Sequence, residues 1–86
     1  MPDLQSEIRQ FIVESFLFGQ DDPGLGNADS LLENGVIDST GVLELVGFLE
    51  ERFRIQVADR ELVPENLDSV ERISTYVRGK LDGAGA

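Results

Sequence analysis

The chain predicts an all-α fold, a four-helix bundle with a long first loop and a short third helix. Three observations carry that expectation. Apolar residues recur at three- and four-residue spacing in separate stretches, with acidic and polar residues between them. No stretch alternates at period two for long enough to make a strand. Leu, Val, Ile and Phe make up 29 of the 86 residues, enough to build one core, and a chain of this length has no room for a second.

The first helix is expected from about Asp3 to Phe18. Leu4, Ile8, Phe11, Ile12 and Ser15/Phe16 fall on one side, and Glu7, Gln10 and Glu14 lie between them. Asp3 or Ser6 can cap its start, and Gly19 suits the position that ends it. From Gly19 to Ile37 the periodicity is lost and turn formers dominate, so this stretch reads as a loop. Nineteen residues is long for a connection in a compact domain and points to a functional loop. Leu25, Leu31, Leu32, Val36 and Ile37 are spaced through it, as if to pack it onto the helices.

The second helix is expected to open at Asp38-Ser39, where either side chain could accept from first-turn N–H groups. At about 100° per residue, Val42, Leu45, Val46, Leu49 and Phe53 gather on the core side. Thr40, Glu44, Gly47 and Glu51 lie opposite, with Leu43 and Glu50 at the border. Arg52 and Arg54 close the helix, where positive charge suits the C-terminal dipole. Val57 to Val63 reads as a helical turn or two, stopped before Pro64. Asp68-Ser69-Val70-Glu71 has the pattern of a capping box, with Asp68 or Ser69 as cap and Glu71 reaching back. Val70, Ile73, Val77 and Leu81 then define a last helix to about Lys80. Residues 1–82 are expected to form the single domain, and 83–86 a flexible tail.

Composition narrows the chemistry. Cys is 0 and His is 0, which removes disulfides, a thiolate nucleophile, Cys-based metal sites, the usual general base and the commonest zinc ligand. A net charge of −10 repels phosphate backbones and anionic lipid and favours proteins with basic surfaces, so neither nucleic acid nor a membrane is an expected partner. No apolar run approaches the roughly 20 residues of a membrane-spanning helix, and no charged-then-apolar leader opens the chain. A cytoplasmic protein is expected. Intrinsic catalysis lacks a base for a serine nucleophile, because the chain has no His and one Lys, Lys80. No catalytic residue is therefore expected. Asp21, Asp22, Asn27 and Asp29 have the composition of calcium ligands, but their spacing does not fit the D-x-[DN]-x-[DN]-G-x₅-E loop, so no metal site is expected either.

Ser39 remains. A serine at a helix start, presented by a long loop, sits among backbone N–H groups that favour a phosphate ester. By itself it would be an ordinary helix cap. The residues around it decide otherwise. Asp29-Ser30-Leu31-Leu32-Glu33-Asn34-Gly35-Val36-Ile37-Asp38-Ser39-Thr40, followed by an acidic amphipathic helix, resembles the acyl carrier protein family. That family's signature is a Gly, two or three apolar residues, then Asp-Ser-Leu at the start of the second helix. The resemblance continues through Glu44-Leu45-Val46, Leu49-Glu50-Glu51, Phe53 to Val57 and Ile73 to Val77, and so covers nearly the whole chain.

The resemblance implies an acyl-carrier-type bundle in which Ser39 receives 4′-phosphopantetheine from coenzyme A through a phosphopantetheinyl transferase. Cargo would ride as a thioester on the arm's thiol. It also implies that Asp38 helps the transferase engage and that the second helix is read by partner enzymes. Thr40, Leu43, Glu44, Gly47, Glu50 and Glu51 are the recognition positions, with the glutamates meeting basic residues on those enzymes. The further partners implied are an acyl- or aminoacyl-loading ligase and a downstream transferase or synthase in lipid or secondary-metabolite biosynthesis. The carrier itself is expected to be a monomer. Cargo folded back between the second and third helices would lie over Val46, Leu62 and Val63. Three departures stand out: Thr40 replaces the usual Leu, Gly41 an acidic residue and Gly47 a bulky contact residue. They point to a specialised stand-alone carrier. The competing reading is a non-catalytic acidic four-helix adaptor with an unmodified Ser39.

Overall fold

The first helix, α1, spans Leu4–Phe16 in the computed structural model, which describes residues 3–21 and 24–83. Its cap is Asp3, whose carboxylate accepts from the Ser6 N–H at 2.7 Å. That hydrogen bond holds the Asp3 carboxyl below its ordinary pKa. Ile8 and Ile12 are fully buried, while Leu4, Phe11 and Phe16 pack partly against the core. The helix stops two residues before the expected Phe18. Phe18 and Gly19 both take left-handed backbone, at φ 56° and 81°, and the Gly19 N–H returns to the Val13 carbonyl at 2.9 Å. Termination therefore begins on Phe18, whose side chain is 94% exposed.

Among the described residues, the segment after α1 has no regular helix, as expected, yet it is tied to the core. Leu25, Leu31 and Ile37 belong to the core, Val36 packs partly against it, and Leu32 turns outward instead of inward. Polar contacts hold the rest. The Arg9 guanidinium donates to Asp21 at 2.7 Å and to Asn27 Oδ1 at 2.7 Å. The Asn27 carbonyl accepts from the Glu71 N–H at 2.9 Å, and Asp29 accepts from the Gly26 N–H at 2.7 Å. Of the four residues with calcium-ligand composition, Asp21 and Asn27 are thus bound to an arginine and Asp29 to backbone. Asp22 lies outside the described residues.

Helix α2, Ser39–Phe53, is capped by Asp38 and ends at Arg54, another left-handed residue at φ 56°. Leu45 and Leu49 are fully buried, and Val42, Val46 and Phe53 flank them as expected. Phe48, absent from the expected core face, stacks on Phe11 with ring centroids 4.0 Å apart. Phe16 and Phe53 meet the two ends of that stack edge-on, at 5.9 and 6.1 Å. This aromatic row seals the α1–α2 seam, and an ion pair from Arg52 to Glu7 lies alongside it.

The third helical region differs from expectation in place. Residues Asp59–Glu61 form one 3₁₀ turn, and the short α-helix α3 is Pro64–Leu67, beginning at the proline that was expected to close the region. Proline suits a first helical position because its missing N–H has no partner there, and Val63 before it is extended, as the pyrrolidine ring requires. Helix α4 runs Val70–Gly83, three residues beyond Lys80. Val70, Ile73 and Val77 are buried, whereas Leu81 is 43% exposed on the last turn. Ser69 caps this helix by accepting from the Arg72 N–H at 3.0 Å. The expected capping box does not form, because the Asp68 carboxylate is committed to the long loop. Gly83 is helical, and residues 84–86 of the expected tail lie outside the described residues.

Helix α4 packs against α1, α2 and α3, so its apolar face is the centre of the core. Four α-helices and, among the described residues, no strand make an all-helical bundle consistent with the acyl-carrier type. Because Phe18 is exposed and holds a backbone that costs a side-chain-bearing residue about 1 kcal/mol, Phe18→Gly is expected to leave the fold as stable or up to about 1 kcal/mol more stable. Thermal unfolding checks this; a clear loss of stability would show that the ring packs in solution.

Candidate functional site

The start of α2 is built by three neighbouring residues with different jobs. Ile37 is buried and anchors the chain to the core. Asp38 is extended, and its Oδ1 accepts from the Gly41 N–H at 2.7 Å while its carbonyl accepts from Val42 at 3.0 Å. Ser39, the first helical residue, is exposed and its hydroxyl makes no hydrogen bond among the described residues. The sequence left open whether Asp38 or Ser39 is the cap. Asp38 takes the role, and that leaves the serine oxygen available. The N–H groups of Ser39 and Thr40 also carry no hydrogen bond among the described residues, so an anion joined to Ser39 Oγ meets unsatisfied donors and the positive end of the helix.

Gly41, two residues on, has a structural reason. It is buried, and a Cβ there would stand 3.0 Å from the Phe16 ring and 3.4 Å from Ile37 Cγ2 and Asp38 Oδ1. The end of α1 thus presses against the first turn of α2, and a side chain at position 41 would need the Phe16 ring to shift by a few tenths of an ångström. Gly47 is the opposite case: nothing lies within 4 Å of its Cβ position.

Around this point the predicted recognition residues divide. Thr40, Leu43, Glu44, Gly47 and Glu51 are all exposed, with Leu43 at 63% one turn beyond Ser39. Glu50 stands apart: it is half-buried, and its Oε2 accepts from the Val57 N–H at 3.0 Å, tying the end of α2 to the segment after it. Of the three predicted cargo-lining residues, Val46 and Leu62 are half-buried against the core, while Val63 is 37% exposed and does not join it.

The segment carrying Leu62 is held by charge. Glu61 pairs with Lys80 at 2.8 Å and accepts from the Ala58 N–H at 2.9 Å. The Lys80 ammonium, then the Ala58 amide, bring the Glu61 carboxyl down to about 2. Beside it the buried Tyr76 hydroxyl is pushed up to about 12, by burial first and then by the Glu61 and Glu50 carboxylates. No helix of the described residues is long and apolar enough to cross a membrane.

These features can be set beside known proteins. No family model matches the chain. It is similar to the probable acyl carrier protein PigG of a Serratia species, 29% identical over 75 residues that span 87% of this chain and 85% of that one. The comparison supports a member of the acyl carrier protein family. The stretch Gly35-Val36-Ile37-Asp38-Ser39, which carries the resemblance in the sequence, ends here at an exposed serine beside the Asp38 cap. What sequence reasoning missed is the commitment of Glu50, the packing role of Gly41 and the engagement of Asp68. Only the first had a local signal, its place at the border of the apolar face.

Two outcomes follow from this geometry. Gly47→Ala, in open space on a helix, is expected to stabilise by about 0.5–1 kcal/mol, whereas Gly41→Ala is expected to destabilise by about 1 kcal/mol or more through overpacking; denaturant unfolding of both reads the contrast. The Glu61 pairing has a pH signature. A carboxyl whose folded pKa of about 2 lies under its ordinary 4.5 contributes fully above the ordinary value and loses that contribution as pH falls from there towards 2. Glu61→Gln is therefore expected to flatten the acid-side fall in stability. Equal slopes for parent and variant would show that the pairing contributes nothing.

Proposed function

We propose that this chain is a carrier protein that holds an acyl or aminoacyl group as a thioester on 4′-phosphopantetheine joined to Ser39 and delivers it to partner enzymes. The observation that carries the reading is the exposed, unbonded Ser39 hydroxyl on a helix start whose cap is supplied by Asp38. Its chemistry fits a phosphodiester: a free nucleophilic oxygen beside two unsatisfied N–H donors and a positive helix end. The group would supply a terminal thiol, which a chain with Cys 0 lacks.

In the loading step Ser39 Oγ forms a bond to the phosphorus that bears pantetheine. The bond from that phosphorus to the bridging pyrophosphate oxygen of coenzyme A breaks, and 3′,5′-ADP leaves. The hydroxyl proton passes to a base on the transferase, since His is 0 here. The chain's own contribution is to hold the oxygen in place. Asp38 keeps one oxygen on the Gly41 N–H, and its other oxygen would face the transferase and its magnesium ion. Leu43, Glu44 and Glu51 form the exposed strip beside the attachment point. Their charge speeds encounter with basic partners without making the complex slow to release. The likeness to a probable acyl carrier protein supports the same assignment.

Intact mass after incubation with coenzyme A, magnesium and a broad-specificity phosphopantetheinyl transferase tests this. The expected result is a gain of one phosphopantetheine in the parent and none in Ser39→Ala. No gain in a folded parent would overturn the carrier reading and leave an acidic helical adaptor.

A further inference from the structure

Asp68 lies 29 residues beyond Ser39 in sequence, yet it closes a hydrogen-bonded circuit around the turn that leads into α2. All three of its acceptor oxygens are used. Its carbonyl accepts from the Leu31 N–H at 2.7 Å, Oδ1 from the Leu32 N–H at 2.9 Å, and Oδ2 from the Ser30 hydroxyl at 2.6 Å. Ser30 passes the constraint on: its Oγ accepts from the Glu33 N–H at 3.0 Å, and its carbonyl from the Asn34 side-chain amide at 2.7 Å. The Leu31 carbonyl then accepts from the Val36 N–H at 2.9 Å and the Ile37 N–H at 3.3 Å. Ile37 is buried and adjoins Asp38, the cap of α2.

We propose that Asp68 is the positioning residue of the attachment site, clamping the 30–37 turn so that Ser39 is held in one geometry for the transferase. The proposal rests on the reading of Ser39 as the modified residue. A charged acceptor makes stronger hydrogen bonds than a neutral one, and here it replaces the regular backbone pairing that the loop lacks. The clamp also explains why Asp68 does not cap α4: Ser69 does so, which frees the neighbouring carboxylate for the loop. Without it, the turn samples several conformations and only a fraction of molecules present Ser39 competently. An apparent affinity falls by that fraction, whereas the rate of the bound complex does not.

The transferase reaction on the full chain distinguishes positioning from general stability. Asp68→Ala is expected to raise KM for the carrier about tenfold with kcat unchanged. Asp68→Asn keeps an acceptor for Leu32 and a polar contact to Ser30, so it is expected to stay near the parent. Ser30→Ala, which removes one arm of the clamp, is expected to fall between them and serves if Asp68→Ala does not fold. Val77→Ala, a core truncation on α4 about two turns beyond Val70 that removes no member of the clamp, is the control: it is expected to lower thermal stability and to leave KM unchanged. A KM for Asp68→Ala and Ser30→Ala equal to the parent's, or raised equally in Val77→Ala, would overturn the proposal. If the parent itself is not modified, the carrier reading falls separately. Amide hydrogen exchange then decides the clamp, with faster exchange at Leu31, Val36, Ile37 and Gly41 in Asp68→Ala than in Val77→Ala expected, and equal protection contradicting it.

Discussion

Everything near Ser39 depends on holding a long segment in place without regular secondary structure. A loop of this length would ordinarily expose its backbone and move. Here two devices prevent that. Leu25, Leu31 and Ile37 enter the same core as Ile8, Leu45 and Ile73, so apolar burial fixes three points along the path. Between those points, groups from other elements supply the missing acceptors and donors: the Arg9 side chain from α1, the Asp68 carboxylate from the end of α3 and the Glu71 backbone N–H from the first turn of α4. The loop is therefore part of the fold, and its last residues deliver α2 to a defined place.

That arrangement separates two tasks which a single residue could have confused. A helix start needs a side-chain acceptor for its first N–H groups. If Ser39 met that need, its hydroxyl would be occupied. Asp38 meets it instead, with an acceptor-only carboxylate, and Gly41 allows Phe16 to close over the turn from the other side. The serine's backbone belongs to the capped first turn, and its side chain is exposed. An exposed strip of Leu43, Glu44 and Glu51 continues from it along α2, while Glu50 faces the segment after α2 and helps hold it.

The sequence made the helices and Ser39 legible for a physical reason: both are local. Three- and four-residue apolar spacing fixes α1, α2 and most of α4, and the Asp-Ser pair between a turn and an amphipathic run fixes the helix start. The misplacements share one cause, which is competition between local and distant partners. Asp68-Ser69-Val70-Glu71 reads as a capping box because nothing nearby reveals that Asp68 is needed by Ser30 and Leu32. Pro64 reads as a stop, although a proline equally begins a helix. Leu32 and Leu81 read as core by spacing, yet both are 43% exposed. Gly41 has no local signal for its role, because the Phe16 ring that packs against it comes from α1.

The proposed carrier function requires that one oxygen among several nearby hydroxyls, Ser39 Oγ, is the one presented for attachment. Thr40 is exposed beside it and Ser30 lies in the turn before it, but Ser30 donates to Asp68 and the Asp-Ser pair on which the resemblance rests marks Ser39 over Thr40. Fragmentation of the proteolytic peptide containing residues 30–40, taken from transferase-treated protein, locates the added group directly. The account predicts that every molecule of the modified peptide carries it on Ser39. The group on Thr40 or Ser30 in a substantial share of molecules would contradict it.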